Sequence, residues 1–482
     1  HLDTGTTLNN VAVSGGTESG KGVDIAGGLV STGATTIAGH STGAGTGVDV
    51  AGNITGGSVT GNADGTGTGV TVSGQNVTVS DVVVSGNTED GTGVLVSGGL
   101  SGSGTVVNGQ ATGGGTGVQI NGTLAAGIKG SSSSGTGVLV SDGANIASGS
   151  HADGSSVSGT GVVTQGNVAN HGSITGQSGT GTGAGIGGSV TGQGHITGTT
   201  NGTGNGVNLA GNVSGGTVAG HSAGGTGVSV TDTSVLADAT VSGDTLNGTG
   251  VHVTGSLTGT GATTVTGTST GSGAGAILSG NVTGGIVNGN SADGVGVSTE
   301  QMLTLNGVTV NGTSASQSGV LVSGYVESTG ATMITGSSAS DAGVRLNGTV
   351  SGGSLTGHSV SGPGVHVTGD SHLNGVEVSS SSESGEAIQT DAPLSSSDST
   401  LNGQTLPDMS VPDTSGPDTS TPDTIRQAVY REQGVTSHTE RLSHPAKASG
   451  PQGQDKPVSV EICEENRCST LVVPAVGGAV GP

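Results

Sequence analysis

The residues of this chain able to do chemistry are few and widely spaced. Gly-His-Ser recurs at His40, His221 and His358, and histidines repeated in one context invite a metal-site reading. Asp64, Glu89 and Asp90 stand in similar local sequences and could supply carboxylates to Ca²⁺. In the first 392 residues the cations are Lys21, Lys129 and Arg345, the residue types with which an enzyme acting on acidic polysaccharide would steady its substrate. Nine Asn-x-Ser/Thr triplets begin at Asn53, Asn76, Asn121, Asn201, Asn212, Asn247, Asn281, Asn311 and Asn347, each an acceptor pattern for glycosylation. With 25 Asn in so Ser/Thr-rich a chain, about seven such triplets arise from composition alone. The pattern is therefore weak evidence by itself. The two cysteines, Cys463 and Cys468, enclose four residues near the end, and a zinc site would need more ligands than they provide.

Which of these groups can meet depends on the scaffold. The chain has 482 residues, of which 104 are Gly, about 22% against roughly 7% in ordinary proteins. Phe and Trp are absent and Tyr occurs twice, so the side chains that usually fill a compact core are missing. A single ball-shaped domain is excluded on these grounds. The net charge of −24 argues against nucleic acid or an anionic membrane as partner. No apolar run approaches the ~20 residues of a membrane helix, and the opening His1-Leu2-Asp3 reads as the start of a piece. Collagen fails because Gly does not fall at every third position and 10 of the 11 Pro lie after residue 392. The competing reading is a flexible, low-complexity chain, and periodicity decides against it.

The tetrapeptide GTGV, or a close variant, begins 17 times between residues 20 and 383, at intervals of 20 to 25 residues with a mean near 22.7. Within each unit apolar residues alternate in short pairs, as in Val48-Asp49-Val50, Val70 with Val72, Val94 with Val96 and Val118 with Ile120. β-branched residues at spacing two suit a pleated strand facing a core. Three short strands and three turns in ~23 residues make one rung of a coil whose strands stack in parallel. The sequence thus predicts an all-β fold, a parallel β-solenoid (β-helix) of about 17 rungs followed by a mostly irregular tail. Gly is expected at the corners, where it permits unusual backbone angles, and Ser, Thr and Asn at outward positions.

Stacking at ~4.8 Å per rung separates the candidate residues. The three Gly-His-Ser histidines fall eight and six rungs apart, roughly 38 and 29 Å along the axis, too far to share a metal. They read as turn or surface residues, and the acids as solvated turn acids, since no corner matches the calcium-binding nonapeptide repeat. The three cations also lie in distant rungs, and glycosidic carboxylate pairs lack aromatic platforms beside them. The expectation is a protein that is not an enzyme and uses no cofactor.

A longer period overlies the short one. Residues 22–57 match 250–285 without a gap at an offset of 228, and GVLVSG at 93–98 returns at 319–324. The units are residues 1–228, about ten rungs, then a partial second block over 229–392. A spacer rich in Pro, Ser and Asp covers 393–424, with Pro407, Pro412, Pro417 and Pro422 each followed by Asp. A tail over 425–482 includes a short predicted helix at 425–434 and the cysteine pair.

Gly/Ser/Thr/Asn-rich rungs arrayed in long blocks resemble the passenger regions of exoproteins secreted by the two-partner route, the filamentous-haemagglutinin type. The resemblance covers residues 1–392. The family's amino-terminal secretion domain is not in this sequence, which fits a carboxyl-terminal portion. The resemblance implies a secreted or bacterial-surface adhesin and an outer-membrane two-partner transporter that exports it. It also implies host-surface glycans or mucin as partners, or a filament such as flagellin, and glycosylation of some of the nine asparagines. In the oxidising exterior so implied, Cys463 and Cys468 close a small disulfide loop, read either as a device that lodges in the transporter or as a passive local link. The rival readings are a passive stalk carrying a distant functional region and, less favoured, a polysaccharide-processing β-helix enzyme.

Overall fold

The computed structural model describes residues 1–406 and the backbone of three further strands, Val435–Ser437, Val458–Glu464 and Arg467–Val473. Over residues 1–406 the described elements are all strands, wound into a parallel β-solenoid of about 17 turns some 23 residues apart. A typical rung holds Thr46–Val50, Ile54–Thr55 and Ser58–Ala63. Each strand hydrogen-bonds to its equivalents above and below: Val48 is in register with Val23 before it and Val70 after it, and Val59 with Ile37 and Val84. Third strands form one sheet. First and second strands form another, made continuous where Val320–Thr329 and Val344–Ser351 run through the corner between them.

The apolar alternation read from the sequence is the inward column. Val48, Val70, Val94, Val118 and Val138 are fully buried, one above another, and Val50, Val72, Val96, Ile120 and Val140 form a parallel stack. Equivalent side chains meet one strand spacing apart, so a narrow shaft filled by Val, Ile and Leu needs no aromatic residue.

Glycine does something different from what its expected corner role implies. Tight αL corners do exist, as at Gly56 and Gly57 (φ +72° and +77°), repeated 228 residues later at Gly284 and Gly285. The more regular column, however, is the fourth residue of the third strand, extended and facing inward. A Cβ on Gly109 would lie 2.0 Å from the carbonyl oxygen of Gly117, and one on Gly154 would lie 2.1 Å from that of Gly161. Here the coil is so thin that backbone packs on backbone. Steric closeness, and not φ, reserves these positions for glycine.

The solenoid also runs past residue 392, where the spacer was expected to begin. Leu394–Ser397 pairs in parallel with Ser371–Asn374, and Thr400–Leu401 with Glu377–Val378. The GTGV marker stops, but Ile388, Leu401 and Leu406 continue the buried column. Pro393 is tolerated because it sits before a strand and its carbonyl accepts the N–H of Ser371 (3.0 Å). Gln404–Thr405 then folds back antiparallel on Thr400–Leu401, covering that edge, and Val435–Ser437 adds in parallel to Ile388–Thr390. Residues 440–482 form a separate unit containing an antiparallel pair, Val458–Glu464 with Arg467–Val473, whose register sets residue 463 opposite 468. The predicted helix at 425–434 and the Pro-Asp series at 407–423 lie outside the described residues.

Candidate functional site

The outer face of the third-strand sheet collects the polar side chains of the rod. In each six-residue third strand, positions two, four and six point inward and one, three and five outward, as the alternation of Val106–Ala111 and His151–Ser156 shows. Because position four is a glycine drawn against the first strand in every six-residue third strand but Glu377–Ser382, where it is Ser380, its backbone forms the floor of a shallow groove, and the side chains at positions three and five form its walls. One stretch, of about 680 Å³, has Gly109, Gly130 and Gly154 in its floor and Asn108, Lys129 and Asp153 in one wall. Further openings of about 290 and 470 Å³ follow the same face around Gly39 and His40, and around Asp64 and Glu89.

The Gly-His-Ser histidines belong to this face as strand residues and not as turns. Each makes one contact with an acid of the next rung: His40 with Asp64 (3.5 Å), His221 with Asp244 (3.2 Å) and His358 with Glu383 (3.9 Å). Asp90 caps a corner, its Oδ1 accepting the N–H of Gly114 at 2.8 Å. Among the described residues no group of three or more His, Cys, Asp or Glu could hold a metal ion.

Two of the three solenoid cations are held by carboxylates. Lys21 reaches Asp49 at 2.5 Å and Asp24 at 3.2 Å, and the hydrogen bond to Asp49 raises its pKa. Arg345 grips Asp341 at 2.6 Å. Burial opposes ionisation of Asp341, but the Ala342 N–H, the Arg345 guanidinium and the Ser318 hydroxyl outweigh it and hold the carboxyl below its ordinary value. Lys129, exposed in the groove wall, has no ion-pair or hydrogen-bond partner for its ammonium among the described residues.

The sequon asparagines are mostly a corner feature. Asn53, Asn76, Asn121, Asn212, Asn281 and Asn347 share the corner between first and second strands, and all six are exposed. At three of them the carboxamide oxygen accepts a backbone N–H of the next rung: Asn53 from Thr78 (2.8 Å), Asn212 from Val235 (2.9 Å) and Asn281 from Thr304 (2.8 Å). Asn201 and Asn247 are exposed just after a third strand. Asn311 lies within a third strand, half-buried, its Nδ2 donating to Asn288 (2.9 Å). The side chains of Cys463 and Cys468 lie outside what is described.

A column made mostly of Ser, a residue the sequence reading assigned to the surface, is internal. The last residue of the third strand is a buried Ser or Thr in most rungs, among them Ser41, Thr88, Ser132, Ser222, Ser314 and Ser359. In most of them the hydroxyl accepts the N–H three residues on and donates to a carbonyl of the preceding rung, whereas Ser41 only donates and the Ser269 hydroxyl has no partner. For Ser359 these are Gly362 N (2.9 Å) and Asp341 O (2.6 Å), and for Ser314 they are Gln317 N (2.9 Å) and Gly294 O (2.7 Å). In Gly-His-Ser the serine, not the histidine, is therefore the structurally fixed residue. Its signal was the recurrence of Gly-x-Ser/Thr shortly before GTGV.

No family model, curated protein or solved structure matches the chain.

Proposed function

We propose that this chain is the rod of a secreted bacterial adhesin of the two-partner, filamentous-haemagglutinin-like type, and that the groove of its third-strand sheet is the repeated binding surface. The observation that carries the reading is the run of outward Asn, Gln, Ser and Thr side chains on that face, in register rung after rung over a glycine floor. Such a surface offers hydrogen bonds at one strand spacing, which suits hydroxyl-rich glycans or mucin. A filament such as flagellin would meet the same periodicity. Each rung binds weakly, and repetition supplies the avidity. The proposal assigns the chain no reaction.

The stalk reading draws support from a specific observation. Some outward side chains are engaged within the sheet, as in His221 with Asp244 and Asn87 with Asn62 (2.9 Å), and are less free for a partner. Deleting residues 22–249 joins Lys21 to Gly250, the 228-residue equivalent of Gly22, so the register is kept while about ten rungs are removed. The two proteins are compared on arrays of glycans, mucin and flagellin. Weaker binding by the shortened rod supports repeated sites; equal binding by both awards the function to a stalk.

A further inference from the structure

In the groove stretch of about 680 Å³ Asn87 and Ser155 are answered by neighbours, but several other polar side chains are not. Over the five third strands Val83–Thr88, Val106–Ala111, Gly127–Ser132, His151–Ser156 and Ser173–Ser178, the outward amides Asn108, Gln110 and Gln177 have no side-chain hydrogen-bond partner among the described residues, and neither have Lys129 and Asp153. Lys129 is in register with Asn108 on one side and Asp153 on the other, yet no ion pair joins it to Asp153. The contrast with Lys21 and Arg345, both held by carboxylates, marks Lys129 as the one solenoid cation among the described residues left free to meet an outside anion.

Resting on the glycan-binding reading above, we infer that this stretch is a discrete site for a linear oligosaccharide carrying a single carboxylate, a uronate or sialate residue, with Lys129 receiving that carboxylate. Five strands at ~4.8 Å span roughly 19 Å along the axis, room for a few sugars laid end to end. The amides in the walls supply donors and acceptors to ring hydroxyls on both sides of the chain. Asp153, one strand spacing beyond Lys129, accepts from hydroxyls of the next sugar and repels a second carboxylate there. The net charge of −24 acts in the same direction, disfavouring a polyanion with a charge on every residue. One lysine and one acid side by side thus select for charge spacing as well as for charge.

The test uses the full chain against matched pairs of linear tetra- to hexasaccharides, each neutral or bearing one uronate or sialate, with free glucuronate as a separate probe. The native protein is expected to bind the carboxylated member roughly 10-fold more tightly than its neutral partner, the scale of one charge-assisted hydrogen bond. Lys129→Gln, an exposed change, should abolish that preference while leaving neutral binding intact, and Asp153→Asn should admit sugars with adjacent carboxylates. Equal binding of both members by the native chain, or a preference that survives in Lys129→Gln, overturns the assignment while the adhesin reading stands. Binding of free glucuronate as tight as that of the oligosaccharide overturns the extended site. If no array sugar is bound, the glycan reading itself fails.

Discussion

At the scale of single residues, the hydroxyl column and the half-buried carboxylate of Asp341 bear the most specific consequences. Ser359→Ala removes an acceptor for Gly362 N–H and a donor to Asp341 O, leaving two part-buried backbone groups unanswered at a cost of about 1 kcal/mol. Shape is not the obstacle, since Ala63 and Ala111 occupy the equivalent position in other rungs and are buried there. Ala111 shows how a rung manages without the hydroxyl: Asp90 takes the Gly114 N–H instead. The loss should appear as faster amide exchange at Gly362, with little change many rungs away. Asp341 gives a pH test. Its carboxyl is held below its ordinary value, so its charge stabilises the fold fully above the unfolded-state value near about 3.9 and progressively less as pH falls through the lower native value. The destabilisation by Asp341→Asn should therefore be evident at neutral pH and shrink under strong acid; thermal midpoints across that range measure it, and a pH-independent penalty would refute the assignment.

At the scale of the strand, the inward glycine at the fourth position of the third strand sets how closely that strand approaches the first. Gly154→Ala would bring a Cβ to 2.1 Å from a backbone carbonyl oxygen, and backbone cannot turn aside as a side chain can. At least about 3 kcal/mol of destabilisation is expected, the upper end for overpacking. The outward neighbour Ser155→Ala should cost under about 0.5 kcal/mol, as surface changes do; denaturant midpoints of the two variants provide the comparison, and similar values would contradict close backbone packing as the reason for glycine there. The corner asparagines show a related economy. Asn53 and Asn281 stand 228 residues apart and make the same bond to the next rung, so the carboxamide oxygen has a structural task at a corner where the side chain remains exposed.

At the scale of the whole molecule, the 228-residue block is a structural repeat as well as a sequence one. Thr35 and Thr263 donate to Leu8 O and Leu236 O, and Ala34 and Ala262 donate to Asn10 and Asp238, all pairs at the same offset. Deleting 22–249 should therefore preserve the β-sheet circular-dichroism signal per residue while lowering apparent affinity for a multivalent mucin surface by roughly 10-fold or more, within the range multivalency supplies. An unchanged affinity with an intact fold would favour the stalk.

The rung period, the inward Val and Ile pairs and the long repeat were legible in the sequence because stacked identical strands need the same side-chain size at the same place in every turn. The end of the solenoid was legible less well: GTGV marks a close backbone approach, whereas Leu401 and Leu406, with Leu394 partly buried against them, sustain the core without it. Two matters needed the tertiary structure. One was the division of Ser and Thr between the surface and the buried hydroxyl column, since a small hydroxyl suits either place and only the carbonyl of the preceding rung, some 20 residues back, decides. The other was which charges are free: Lys21, Lys129 and Arg345 look alike along the chain, and only the stacking of Asp49 beside Lys21 and the fold of Asp341 against Arg345 leave Lys129 alone in the groove.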